Sequence, residues 1–294
     1  MRRRRRPLTE IAGSPVPTVR GPWRQTRVTR IGDVIVKSGY TDVAVELEKA
    51  EALRRLAERQ SFVVPRVIDA SLEHGVIRFE YLPGLQSIRE LYLAACRSRL
   101  RAAVAEEAFR EAGRALACIH AELKLDGTAT WQAPAALIEA LRREGESTQL
   151  LSACGTEPVT LHGDYGFANV FVTGDDSRRI VVLDPSANGF TTFASNERGP
   201  RFVDLGNMVS CLQGLVPVRH YPSMDWSRAA SLVESFLTGY ESGARLRVPR
   251  AEICSMGRAT ASVYLEYRCR SKIERALARR LFYIASKGRL LHHE

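Results

Sequence analysis

Polar and apolar residues first settle into a regular rhythm at Thr26. Arg27-Val28-Thr29-Arg30-Ile31 alternates, Gly32-Asp33 supplies a turn, and Val34-Ile35-Val36-Lys37 resumes the run. This pattern predicts a hairpin ending at Lys37. Apolar positions then recur at helical spacing, at Val43, Leu47, Ala50, Leu53, Leu56 and Ala57, behind a Thr41-Asp42 pair that can cap. They predict a helix running to about Arg59. Arg66–Asp69, after Pro65, and Val76–Tyr81, stopped by Leu82-Pro83-Gly84, read as two more strands.

Past Gly84 the rhythm changes. Residues 86–150 are mainly helical, with a long amphipathic stretch from Glu106 to Leu123. A compact strand-loop-strand unit occupies 158–185, and from Val203 onward the chain is helical again. The expected architecture is α+β. A small lobe over 23–83 carries an antiparallel sheet and one helix, and a larger, mainly helical lobe covers 84–294. Residues 1–22 read as a separate tail.

Length agrees with this division, because 294 residues exceed what one hydrophobic core usually serves. Charge adds a second constraint. The net charge of +10 favours anionic partners: nucleotide phosphates, nucleic acid or an anionic membrane. Half of that surplus is the run Arg2–Arg6, and a block of like charges repels itself into a disordered tail. Pro7-Leu8-Thr9-Glu10 follows the run, where an export signal needs an apolar stretch. The cysteines are scattered without a Cys-x-x-Cys pair, which suits reduced thiols in a cytoplasmic protein.

The chemistry concentrates in Val159-Thr160-Leu161-His162-Gly163-Asp164-Tyr165-Gly166-Phe167-Ala168-Asn169-Val170-Phe171-Val172. A polar turn at Thr173–Asp176 and a second strand, Ile180-Val181-Val182-Leu183, then deliver Asp184. Two carboxylates and an amide thus sit on one loop and hairpin. Phosphoryl transfer calls for such a set: one carboxylate orients a hydroxyl and accepts its proton, while an amide and a second carboxylate hold metal. Asp and Asn oxygens suit hard Mg²⁺.

These residues resemble the aminoglycoside phosphotransferase and choline-kinase-like branch of the protein-kinase superfamily. His162-Gly163-Asp164 with Asn169 matches its His-Gly-Asp-x-x-x-x-Asn loop, and Asp184 matches the metal-binding aspartate after the next hairpin. Gly199–Leu205 looks like the following segment, in which a structural aspartate starts a helix. The resemblance implies a protein-kinase-like two-lobed fold, ATP and Mg²⁺ as cofactors, Asp164 as catalytic base, and Asn169 and Asp184 as metal ligands. Lys37 looks like the lysine that touches the ATP phosphates. Phe79–Gly84 looks like the hinge, where the backbone of Glu80 and Leu82 would hold the adenine edge. His162 is expected to brace the loop.

The sequence departs from the pattern in three places. No Gly-x-Gly-x-x-Gly precedes Lys37. By register the helix glutamate that should pair with Lys37 falls near Lys49, which has the wrong sign; Glu46, one turn earlier, is favoured over Glu48. Asp184 is followed by Pro185-Ser186, and the segment 187–200 is long. Within it Ser195, Asn196, Glu197 and Arg198 either face substrate or form a plain surface loop.

The expected reaction is ATP-dependent phosphorylation of a hydroxyl on a small molecule: a sugar, an aminoglycoside-like amino sugar or an amino alcohol. From Arg245 onward twelve Lys/Arg stand against four Asp/Glu, and Ile273–Phe282 is a basic amphipathic helix. That helix is either packed with a solvated basic face or in contact with an anionic membrane, as in a kinase of a glycan or lipid-linked sugar. A nucleotide-binding pseudokinase is a further alternative, opposed by the intact Asp164, Asn169 and Asp184. Nucleic acid is disfavoured, because no aromatic-basic recognition motif is present.

Overall fold

The structure, a computed structural model, describes residues 27–39, 42–98, 101–145, 157–173, 176–269 and 271–287. The expected tail over 1–22 and Cys154 lie outside these residues. The protein is a mixed α+β fold with a small antiparallel sheet towards its N-terminus and a mostly helical C-terminal part.

The small sheet contains β1 (Arg27–Ile31), β2 (Val34–Ser38), β3 (Val67–Ser71) and β4 (Val76–Glu80), in the order β1-β2-β4-β3. All its pairings are antiparallel. Lys37 lies directly opposite the fully buried Ile77. Opposite residues share a sheet face, so the Lys37 side chain is carried inward. Between β2 and β3 runs α1 (Val43–Ala57), where the Asp42 carboxylate accepts from the Val45 N–H at 3.2 Å and caps the first turn. Its buried face combines Val43, Ala50, Leu53, Leu56 and Ala57 with Lys49.

The second part contributes β5 (Leu85–Ser87), β6 (Ala129–Thr130), β7 (Val159–Thr160), β8 (Val170–Thr173), β9 (Asp176–Val182) and β10 (Glu197–Gly199). β8 and β9 form the hairpin that carries the chemistry, with β5 on its edge; β10 lies between β6 and β7. The chain leaving α1 is tied to this hairpin. The Val63 N–H donates to the Ile180 carbonyl, and the Val63 carbonyl accepts from the Val182 N–H, both at 2.8 Å. Val63 is therefore held to β9 through both its N–H and its carbonyl.

The helices are α2 (Ile88–Ala95), α3 (Ala102–Glu122), α4 (Ala135–Arg143), α5 (Phe202–Leu212), α6 (Trp226–Ala244), α7 (Arg250–Arg268) and α8 (Lys272–Lys287). α3 and α6 pack backbone to backbone. A Cβ on Gly113 would stand 2.1 Å from the Phe236 carbonyl oxygen, and one on Gly239 would stand 2.0 Å from that of Arg110. Any side chain at either glycine would force the helices apart. Tyr92, Phe109 and Phe167 stack into the core beneath the hairpin, with Tyr92 and Phe167 centroids 5.1 Å apart. Every residue of α5 except Cys211 is buried, so its polar members Asp204 and Asn207 are buried too. On α8 Phe282 packs inward, while Ile273 and Leu277 are exposed. Among the described residues no helix is long and apolar enough to cross a membrane.

Candidate active site

The loop from β7 to β8 is shaped by contacts it could not make as an isolated segment. Gly163 takes φ 93°, and a Cβ there would lie 3.0 Å from the Ser186 carbonyl oxygen, so the position favours glycine twice over. Beneath it, Asp204 accepts the N–H groups of His162 at 2.6 Å and Gly163 at 2.9 Å. Burial opposes the Asp204 charge, yet His120 and these peptide donors hold its pKa below the usual carboxylate range. Burial lowers the His120 pKa against the pull of Asp204. The His120 imidazole accepts from the Tyr240 hydroxyl at 2.8 Å and donates to Asp204 at 3.0 Å.

His162 is fully buried, and burial pushes its pKa down to about 4, which removes it from acid–base work near neutrality. Its Nδ1 accepts from the Asp164 N–H at 3.3 Å, and its ring meets Tyr165 edge-on. Asn169 closes the loop. Its Nδ2 donates to the Asp164 carbonyl at 2.9 Å and to the Asp164 carboxylate at 2.8 Å. This commits the amide nitrogen and leaves Oδ1 as the atom a cation can use.

Asp184 follows β9 with φ 48°, a left-handed conformation that costs a non-glycine residue on the order of 1–3 kcal/mol. Ser186 holds it there. Its N–H donates to the Asp184 carbonyl at 2.8 Å and its hydroxyl to the Asp184 carboxylate at 2.5 Å. Lys37 reaches across from β2 and pairs with the same carboxylate oxygen. Glu46 lies 3.8 Å from the Lys37 ammonium. The Asp184 carboxylate and Asn169 amide oxygen form a hard donor set. That fits Mg²⁺, which takes one or two carboxylates and completes its shell with water and phosphate oxygen.

Lys49 has a role that its sequence position did not suggest. Its ammonium is fully buried and donates to the His162 carbonyl at 2.9 Å and to the Ser195 carbonyl. Burial pulls its pKa down to about 8, against the attraction of Asp204, Glu46, Asp184 and Glu197. The Ser195 hydroxyl in turn donates to Glu46 at 3.0 Å. Ser195–Arg198 are engaged in contacts within the protein. Asn196 donates to the Gly127 carbonyl at 2.7 Å, Arg198 donates to the Pro158 carbonyl at 2.7 Å, and Glu197 accepts from the Phe193 and Ala194 N–H groups. The segment braces α1 against the loop.

At the connection after β4, the Glu80 N–H donates to the Arg66 carbonyl at 2.9 Å, and the Glu80 carboxylate accepts from the Arg66 N–H at 2.7 Å. Leu82 lies in the non-strand link to β5. On the other side of the loop Asp164 lines a cavity of about 370 Å³. Arg89, Asn207, Thr260 and Tyr264 also line it, and sequence reasoning had singled out none of them as ligand contacts. They come from α2, α5 and α7, whose helical pattern gives no sign of which face meets a cavity.

A sheet-borne lysine paired with a hairpin aspartate, beside an Asp-Asn loop rooted in a helical part, defines the class of protein-kinase-like small-molecule kinases. The chain belongs to the phosphotransferase enzyme family, whose model matches residues 19–241. Solved structures share the fold. A glucosamine kinase in complex with glucosamine, ADP and inorganic phosphate superposes with TM-score 0.61 at 19% identity, covering 89% of this chain and 77% of the other. The microcompartment-associated aminopropanol kinase gives TM-score 0.53 at 18% identity over 89% and 86%. A choline/ethanolamine kinase family protein from Mesorhizobium loti gives 0.52 at 17% over 91% and 83%. No curated protein matches the chain by sequence.

Proposed function

We propose that the protein transfers the γ-phosphoryl group of ATP to a hydroxyl of a small molecule of the sugar, amino-sugar or amino-alcohol kind, with Asp164 as catalytic base. The observation that carries this reading is the placement of Asp164. Its carboxylate is oriented by Asn169 at 2.8 Å, and the residue lines the cavity of about 370 Å³. An acceptor hydroxyl in that cavity would give its proton to Asp164 as its oxygen bonds to the γ-phosphorus and the bridging oxygen leaves with ADP.

Lys37 would neutralise phosphate oxygens of ATP, with Glu46 limiting its swing. Asn169 and Asp184 would hold Mg²⁺, which supplies charge neutralisation for the phosphates when bound. The adenine edge would meet the backbone at Glu80 and Leu82. The Glu80 N–H is committed to Arg66, so its carbonyl is the group on offer. ADP and glucosamine in the glucosamine kinase structure support this class of ligands.

Purified protein with Mg²⁺ and ATP should release ADP on addition of one member of a hydroxylated-metabolite panel, and Asp184→Ala should abolish release. Nucleotide binding without turnover of any acceptor would contradict the reading and favour a non-catalytic scaffold.

Exposed Ile273 and Leu277, 82% and 55% accessible on a basic helix, favour a second reading in which α8 rests on an anionic membrane near a glycan or lipid-linked acceptor. Co-flotation with anionic but not neutral vesicles, lost in Ile273→Glu/Leu277→Glu, supports it; no flotation removes it.

A further inference from the structure

The cavity walls carry information about the acceptor that the catalytic loop does not. Its volume, about 370 Å³, lies near the lower end of the roughly 300–1,000 Å³ usual for small-molecule sites. Among the described lining residues Asp164 is the only carboxylate and Arg89 the only cation. If Asp164 accepts the hydroxyl proton, no negative charge is left in the wall to receive a cationic substrate.

Two polar groups of the remaining wall residues are left without a partner. The Asn207 amide nitrogen and the Thr260 hydroxyl find no hydrogen-bond partner among the described residues, although each residue is only 6% exposed. The other end of the Asn207 amide already accepts from Thr191 at 3.1 Å, so the N–H₂ group is what it can still contribute. Buried polar groups without partners are uncommon in native proteins, and these two belong to residues that line the cavity.

Pro217 and Leu215 line the cavity, and the residues just beyond them in the chain include Arg219 and His220. Arg97 hydrogen-bonds the His220 imidazole. Partial desolvation, then the charges of Arg97, Arg219 and Arg89, lower the pKa of His220. The Asp225 carboxylate is already engaged by Arg228 at 3.3 Å. Among the described residues Arg89 itself has no ion-pair partner.

Resting on the phosphotransferase reading above, and narrowing its acceptor class away from the amino compounds, we propose that the acceptor is a hydroxylated small molecule bearing an acidic group, carboxylate or phosphate, which Arg89 holds while the reacting hydroxyl meets Asp164. A guanidinium fork matches the planar carboxylate and the phosphate alike, and a charge-assisted pair outweighs a neutral contact. The acidic group takes no part in the bond changes. The hydroxyl oxygen gains the phosphorus, its proton passes to Asp164, and the electron pair of the broken phosphorus–oxygen bond leaves on ADP.

The test is ADP release by the full-length protein with Mg²⁺ and ATP over matched acceptors of three to six carbons. The arms are hydroxy acids, polyol monophosphates, neutral polyols and amino alcohols. The expected result is that one acidic arm dominates, which also separates carboxylate from phosphate. Arg89→Gln should raise KM for that acceptor roughly 10–100-fold, with KM for ATP unchanged, and Arg89→Lys should recover part of the loss. Turnover led by neutral or amino acceptors overturns this inference and leaves the kinase reading standing. An unchanged KM in a turning-over Arg89→Gln protein overturns it as well. No turnover in any arm, with nucleotide bound, sinks both.

Discussion

Lys49, on the buried face of α1, donates to the His162 carbonyl 2.9 Å away and 113 residues further along the chain. It stands where the family register expects the opposite charge, and it serves as a strut. Its pKa falls from 10.5 to about 8 on folding. Between those values the unfolded chain holds more protons than the native one, so raising the pH through that window stabilises the fold. The wild type should gain on the order of 3 kcal/mol over Lys49→Met across it. Urea unfolding of both proteins at the two ends of the window checks this; parallel pH dependence would contradict it.

Lys37 pairs with Asp184 and lies 3.8 Å from Glu46. Lys37→Met should reduce kcat/KM for ATP by roughly 100-fold or more, and Glu46→Gln by roughly tenfold. Because Glu46 acts through Lys37, the double variant should be no worse than Lys37→Met alone. Additive losses in steady-state kinetics would show that Glu46 acts elsewhere.

Asp204 is fully buried and accepts from His162, Gly163 and His120. Replacing it by Asn leaves donors facing the wrong group, and should cost about 3–5 kcal/mol in chemical denaturation. Its pKa is lowered in the fold, so its contribution is present above the unfolded value and is lost as pH falls through the folded one. The deficit of Asp204→Asn should therefore shrink in acid. A deficit that stays constant from neutral pH into acid would count against this account.

Gly163→Ala asks a side chain to occupy φ 93° with a backbone oxygen at 3.0 Å. The expected loss is about 1–3 kcal/mol of stability, with a larger fall in kcat because Asp164 shifts with the loop. Thermal melting and turnover measured on the same sample separate the two effects.

Much of this arrangement was legible from local pattern. Alternation and turn signals located β1 to β4, helical spacing located α1, and the His-Gly-Asp loop with its following hairpin stood out in the chain. Glu46 was favoured from helix register, and the structure places it beside Lys37. What stayed hidden depends on long-range contact. Nothing near Lys49 in the chain says that its partner is a carbonyl on the far loop. The bracing role of Ser195 depends on the same packing. Ser186 read as a departure from the family pattern, whereas it holds Asp184 in its left-handed conformation. Arg89 sits in a short helix whose sequence does not disclose that α5 and α7 close a cavity over it. The described residues within 86–150 are mainly helical, as expected, but the pattern did not show their division into α2, α3 and α4 or the pairing of β5 and β6 to distant strands.

The most direct measurement is single-turnover phosphoryl transfer by Asp164→Asn with an acceptor that the wild type uses. Asn keeps the volume and the contact with Asn169 but cannot take the proton. The expected result is a fall of roughly 10²–10⁴-fold in rate with ATP affinity retained. Transfer at the wild-type rate would remove Asp164 from the chemistry and contradict the account at its centre.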